Sequence, residues 1–340
     1  MDSYTPTPLE LKTQLSKTDT ASFCITKARQ TIKELISKND KRIALIVGPC
    51  SIHDKNSALE YGKRLKELSL EIEDSCFLIM RAYMEKSRTQ LGWKGLAYDP
   101  YLDDSHKIDE GLFLARETLL ELSELELPLA TEIVDPLVFS YYEDLISWGF
   151  IGARTVSSQI HRQAVSKLSL PVGFKNGIDG DTESAFQAIQ SARHRHTYLS
   201  LNEQGLIQKT TSNGNPFTHL VLRGSKQGPN YPQIDQILHS QFLHEIHSRI
   251  LVDCSHGNSG KIADYQIFCF DDVLEKILSG NTNILGLMLE SFLEKGKQKI
   301  TSGKIHPNIS VTDACLDFET TKELILSAAK KLRSSSIMQK

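Results

Sequence analysis

Eight short apolar runs, each closed by turn residues and separated from the next by helical periodicity, constrain this chain more than any other feature. The first, Ile43 to Asp54 (IALIVGPCSIHD), sets the pattern: a run of strand length meets Gly48-Pro49, and the following turn carries a thiol, a hydroxyl and an imidazole. Such a run reads as a fully buried strand that delivers its polar residues at its C-terminal end. FLIMRAY (Phe77 to Tyr83), PLATEIVD, FIGART, PVGFKNG, HLVLRG, ILVDCSHGN and ILGLMLES repeat the arrangement. Between them the apolar spacing is helical, as at Leu59, Leu65 and Leu68 or over Glu110 to Leu125.

Buried strands alternating with helices, with no Pro/Gly/Ser-rich linker between them, point to an α/β fold: a (β/α)8 TIM barrel. A doubly wound open sheet also accepts buried parallel strands, but no GxGxxG follows the first strand. HTYLSL and LIQKTT, on either side of Gly205, would raise the strand count above eight, so they are expected to form a protruding β-hairpin inserted before strand 6. The polar residues 1 to 20, with Pro6 and Pro8, read as an irregular arm, and Ala21 to Lys38 as a helix. That divides the chain into an N-terminal helical extension, residues 1–40, and a catalytic barrel, residues 41–335. The extension either plugs the barrel bottom or reaches a neighbouring subunit. Asp135-Pro136 is expected to start a helix that runs to Trp148 and closes at Gly149.

The charge balance excludes some partners. Thirty-nine basic and 42 acidic residues leave a net charge of -3 with no long single-sign block, so neither nucleic acid nor a membrane surface is expected. The six cysteines lack the short repeated spacings of a disulfide framework or zinc finger, which suits reduced thiols in the cytoplasm. No run approaches the ~18 apolar residues of a membrane span.

In a barrel, strand C-termini converge on one mouth, so residues far apart in sequence become neighbours. Two kinds of side chain fall there. Cys50, His256, Glu290 and, in VTDAC, Asp313 are metal-ligand types; thiolate, imidazole and carboxylates together suit Mn, Fe, Co or Zn better than Mg or Ca. His53 and Cys315 have suitable chemistry too, whereas Cys254 alternates away from Asp253 and reads as core. Arg81, Lys86, Arg88, Arg154, Lys175 and Arg223 are cations, and so many around one pocket require anions, for which phosphate and carboxylate match the guanidinium fork. The residues from Met84 to His106 make a long polar connection of the kind that carries function.

GPCSIHD, the KxRT segment followed by GWKGL, SWGxIGART, PVGFKNGxDG, LRG, DCSHxNSxK, MLES and TDAC occur in one order, and the chain thereby resembles the metal-dependent 3-deoxy-D-arabino-heptulosonate 7-phosphate (DAHP) synthases of enteric bacteria and yeast. The resemblance runs from about Arg42 to Ala329. It implies the condensation of phosphoenolpyruvate with erythrose 4-phosphate and water, releasing phosphate, as the first step towards chorismate and the aromatic amino acids. It implies a divalent metal ion held by Cys50, His256, Glu290 and Asp313, and phosphoenolpyruvate held by Arg81, Lys86, Ala153, Arg154, Lys175 and Arg223, with Glu132 nearby. Arg88 and Thr89 match the segment that receives the aldose phosphate, and on its own chemistry Lys86 is a candidate proton donor to the oxygen that gains charge. A homodimer or homotetramer is expected. Three positions depart from the family pattern: Ser87 stands where KPRT has Pro, Ser225 replaces the second Gly of LRGG, and Phe292 replaces the His of ESH. Three other activities remain open on the residues: a related synthase acting on arabinose 5-phosphate, a Schiff-base aldolase using Lys175, and a barrel that binds phosphoenolpyruvate without turnover.

Overall fold

The computed structural model describes residues 5–238, 249–301 and 305–335. Eight parallel strands close a barrel: β1 (Ile43–Gly48), β2 (Cys76–Arg81), β3 (Leu129–Glu132), β4 (Trp148–Ile151), β5 (Val172–Lys175), then β8 (Thr218–Leu222), β9 (Ile250–Asp253) and β10 (Ile284–Glu290). The strands at the seam, β1 and β10, pair from Ala44 opposite Gly286 to Gly48 opposite Glu290. The missing numbers belong to the hairpin, β6 (Thr197–Leu201) paired antiparallel with β7 (Ile207–Thr211), a separate two-stranded sheet as its sequence suggests.

Every residue of β1 is buried. Alternate side chains serve two cores, as strand geometry requires. Leu45 and Val47 point outward to the helices α3 (Lys55–Ile72) and α4 (Ile108–Glu124), whereas Ala44 and Ile46 join Ile79, Trp148, Phe150, Val221, Leu251 and Met288 inside the barrel. That inner cluster also contains Ile32, Leu35 and Ile36 of α2 (Asp19–Ile36), and Arg249 donates to the carbonyl oxygen of Leu35 at 2.6 Å. The N-terminal helix therefore plugs the bottom of its own barrel, one of the two placements left open by sequence.

Two expectations are corrected. Residues 1 to 20 are not wholly irregular, because Pro8–Gln14 form a helix, α1. Thr7 caps it, accepting from the Glu10 amide while the Glu10 carboxylate accepts from the Thr7 amide, and Pro8 sits in its first turn. This capping box is readable in TPLE. The helix expected from Pro136 to Trp148 stops at Phe139 (α5), followed by one 3-10 turn over Glu143–Leu145. Trp148 is already strand, because its ring and that of Phe150 fill the barrel interior, stacked at 5.7 Å. Gly149 belongs to the same strand, and a Cβ there would meet Ile133 and Leu170 at 3.1 and 3.3 Å.

The remaining helices, α6 (Gln159–Lys167), α7 (Glu183–Arg193), α8 (Ile234–Leu238), α9 (Tyr265–Leu278) and α10 (Phe318–Arg333), follow the strands.

Candidate active site

Gly48-Pro49 turns β1 outward at the mouth and leaves Cys50 fully buried. Glu290 ends the neighbouring β10, and Asp313 arrives on the loop before α10, so that one ligand-type atom from each of Cys50, Glu290 and Asp313 lies within 4.8 Å of the others. His256, three residues beyond β9, adopts φ 55 and brings Nε2 to 3.8 Å from Glu290 Oε1. Its Nδ1 faces Asp253 Oδ2 at 2.9 Å and Ser255 Oγ at 2.7 Å. A carboxylate on one ring nitrogen leaves the other directed at a metal, the usual support for a ligating histidine. One thiol, one imidazole and two carboxylates fit a borderline first-row ion.

Lys86 occupies the same place from the long β2–α4 connection. Its Nζ lies 2.9 Å from Cys50 Sγ and 3.3 Å from Asp313 Oδ2. Burial alone would lower its pKa, but Cys50, Asp313 and Glu290 together more than offset this and the lysine remains charged. Burial pushes the Cys50 thiol up to about 11, aided by Glu290 and opposed by Lys86. Asp313 is also penalised by burial, yet Lys86, His256 and Lys261 hold it far below the ordinary carboxylate range.

Beside this cluster opens a cavity of about 390 Å³ lined by Lys86, Thr89, Glu132, Ala153, Arg154, Lys175, Arg223, His256 and Asp313 among others. Lys175, at the end of β5, donates to Asp253 Oδ2 at 2.6 Å and lies over the Phe150 ring, 4.3 Å from its centroid. Burial lowers the Lys175 pKa and Asp253 opposes it. Arg223 follows β8 and its amide donates to Asn176 Oδ1 at 2.9 Å; burial lowers its pKa as well. Glu132 reaches the cavity because residue 152 is glycine: a Cβ there would fall 2.1 Å from Glu132 Oε1. Arg154 donates to Thr89 Oγ1 at 2.7 Å and to Ser87 Oγ at 3.2 Å, so the serine at the family's proline position gives the arginine an acceptor.

Two of the six sequence cations do not line the cavity. Arg81 sits beneath the cavity, fully buried, with Nη2 3.0 Å from Glu290 Oε1 and its guanidinium 4.1 Å from the Tyr83 ring centroid. Arg88 is exposed and donates to the Trp93 carbonyl oxygen at 2.7 Å, outside the cavity lining. Phe292 is core, edge-on to His53 with centroids 6.0 Å apart. Cys254 is core, as its alternation suggests.

Sequence reasoning missed Asp253, which organises both Lys175 and His256; its signal was a lone acid closing the apolar strand ILVD. It also missed Lys226, which lines the cavity, and Lys261, which pairs with Asp313 Oδ1 at 3.2 Å.

Fold and site together define a barrel protein with a cation-lined mouth next to a thiol–carboxylate cluster suited to a metal ion. Comparison with known proteins narrows this: the DAHP synthetase I family profile matches residues 18–326, and the chain belongs to that family. It is 43% identical over 322 residues to the Trp-sensitive phospho-2-dehydro-3-deoxyheptonate aldolase of Escherichia coli strain K12, covering 94% of this chain and 92% of that protein. The Tyr-sensitive enzyme of the same strain is 42% identical over 323 residues, covering 94% and 90%. Among solved structures, the phospho-2-dehydro-3-deoxyheptonate aldolase of Francisella tularensis SCHU S4 superposes with a TM-score of 0.95 at 39% identity, over 98% of each chain. The Thermotoga maritima enzyme, at 20% identity and a TM-score of 0.59, covers 87% of this chain and 70% of its own and shares the fold. Among the described residues, no helix is long and apolar enough to cross a membrane.

Proposed function

We propose that this chain is a 3-deoxy-7-phosphoheptulonate synthase, condensing phosphoenolpyruvate with erythrose 4-phosphate and water to give DAHP and inorganic phosphate. The observation that carries this reading is the convergence of Lys86 on Cys50 and Asp313 at the edge of a cavity lined by Arg154, Lys175 and Arg223. The relatives are named for this aldolase activity, and the family membership supports the same chemistry here.

Arg154, Lys175 and Arg223 neutralise the phosphate and carboxylate of phosphoenolpyruvate and hold its enol carbon at near-attack distance from the aldehyde. Thr89 and Arg88, on the loop at the rim, serve the aldose phosphate, which requires Arg88 to leave the Trp93 carbonyl oxygen. Cys50, His256, Glu290 and Asp313 would hold a divalent ion of the Mn, Fe, Co or Zn kind, which when bound supplies Lewis acidity towards a carbonyl oxygen. As the enol carbon bonds to the aldehyde carbon, the carbonyl electron pair moves onto oxygen, and Lys86 Nζ donates the proton that neutralises it. Water adds at the neighbouring carbon, the one that carries the phosphate and that the new C–C bond leaves electron-poor; phosphate then departs with its C–O bond broken as the added oxygen becomes the ketone and its protons pass to phosphate and solvent. Arg81 contributes from below by ion-pairing Glu290 and keeping that carboxylate directed at the cluster. The proposal extends to a homodimer or homotetramer working in the cytoplasm.

The test is phosphate release from the two substrates after dialysis against EDTA and after adding back Mn, run beside arabinose 5-phosphate. Loss and rescue with the four-carbon sugar are expected. Turnover indifferent to chelator, or preference for arabinose 5-phosphate, would overturn the reading.

A further inference from the structure

Lys86 does its work from a loop, and a loop lysine needs something to hold its backbone. On one side the chain is clamped within the loop itself: the Lys86 amide donates to the Lys94 carbonyl oxygen at 2.8 Å, and the Ala97 amide to that of Met84 at 3.0 Å. The two limbs approach so closely that Gly95, at φ 112, admits no side chain; a Cβ there would fall 2.6 Å from the Glu85 α-carbon. On the other side the hold is the buried side chain of Glu85. While Lys86 faces the donor cluster, the side chain of the preceding Glu85 turns into the protein and is 1% exposed. There its Oε2 accepts from the hydroxyl of Tyr142 at 2.9 Å, and the backbone of Asp135 also hydrogen-bonds the carboxyl.

We propose that Glu85 is a positioning residue for Lys86: its buried bond to Tyr142 fixes the backbone from which Lys86 reaches Cys50 and Asp313, an inference that rests on the proposed role of Lys86. The groups facing Glu85 suit a neutral acid. Tyr142, from the segment after α5, offers a hydroxyl; Asp135, which caps α5, and Glu132, at the end of β3, offer negative charge; Tyr98, on the far limb of the loop, donates to Asp135 Oδ2 at 3.3 Å. Burial, reinforced by the charges of Asp135 and Glu132 and opposed by hydrogen bonds from Tyr142 and the Asp135 backbone, pushes the Glu85 carboxyl up to about 8. Below that pH the acid is neutral and the anchor is sound. Above it a carboxylate forms among carboxylates in a dry site, and the loop is pushed out of register with the cluster.

The test compares wild type with Glu85→Gln, Glu85→Ala and Tyr142→Phe, using kcat, the KM for phosphoenolpyruvate and pH profiles on both sides of pH 8. Glu85→Gln, a neutral isostere, retains turnover at neutral pH and loses the alkaline decline attached to Glu85. Glu85→Ala lowers kcat by about tenfold to a hundredfold, the cost of misplacing a reacting group by about 1 Å, with KM changed by less than about threefold. Tyr142→Phe lowers kcat in the same sense by a smaller factor. Infrared difference spectra of wild type against Glu85→Gln show a protonated carboxylic acid at neutral pH that disappears on alkaline titration, a reading independent of turnover and of whether Glu85→Ala folds. Wild-type kcat in folded Glu85→Ala, an ionised Glu85 at neutral pH, or an unchanged alkaline limb in Glu85→Gln overturns the proposal. Lys86→Met separates the two levels: its full activity would remove the role of Lys86 itself, whereas its inactivity beside a fully active Glu85→Ala would remove only the anchor.

Discussion

The ammonium of Lys86 stands 2.9 Å from the sulfur of Cys50, where it acts as the resident cation of the ligand cluster. A divalent ion must compete with that charge and must find a thiolate, yet burial holds the Cys50 thiol protonated up to about 11. Uptake of the ion therefore releases protons and strengthens with rising pH. Calorimetry in buffers of different ionisation enthalpy should show about one proton released per ion. Lys86→Met should bind the ion at least as tightly as wild type while losing turnover, and Cys50→Ala should lose both while melting within about 2 kcal/mol of wild type.

Arg81 and Glu290 form a fully buried pair at 3.0 Å. Removing one member strands the other charge, at a cost of about 3–5 kcal/mol. Arg81→Met should therefore lower the urea midpoint markedly, and Arg81→Lys, which cannot also reach Pro49 and Tyr83 as the guanidinium does, should recover only part of the loss.

Asp253 holds Lys175 Nζ at 2.6 Å and His256 Nδ1 at 2.9 Å. Asp253→Asn should weaken metal affinity by about 10- to 100-fold, the usual effect of removing a carboxylate behind a ligating histidine. It should also raise the KM for phosphoenolpyruvate, because Lys175 loses the partner that orients it. Loss of one property without the other would show that Asp253 serves a single partner.

Glu85 predicts a pH dependence of stability with a definite sign. Its folded pKa, about 8, lies above its ordinary 4.5, so between these values the folded chain binds a proton that the unfolded chain has released. The contribution is full below about pH 4.5, declines as pH rises, by at most about 1.4 kcal/mol per pH unit, and is gone above about pH 8. Urea midpoints of wild type and Glu85→Gln across this window should diverge in favour of the variant as pH rises. Parallel curves would contradict the buried acid.

The barrel was legible in the sequence because strand burial writes itself as apolar runs, and the mouth because Cys50, Lys175, Arg223 and Glu290 end or follow those runs. The hairpin was legible from two runs about a glycine turn, since its two strands pair with each other in a sheet apart from the barrel. What local pattern does not record is partnership across the barrel. Nothing in ILVD says that Asp253 serves Lys175, and nothing in KSRT says that Arg88 turns to Trp93 while Ser87 meets Arg154. The helix expected over Pro136 to Trp148 failed for a related reason: Trp148 is an indoor residue of the barrel, a fact set by Phe150 and His219 and not by helical spacing.

Because Ile32, Leu35 and Ile36 cork the barrel from below, it works as a vessel with one neck. Two anionic substrates arriving and two anionic products leaving all share a passage rimmed by Arg154, Lys175, Arg223 and Lys226. Traffic through a single charged neck is tuned by the salt around it, so turnover should respond to ionic strength through arrival and release as well as through chemistry.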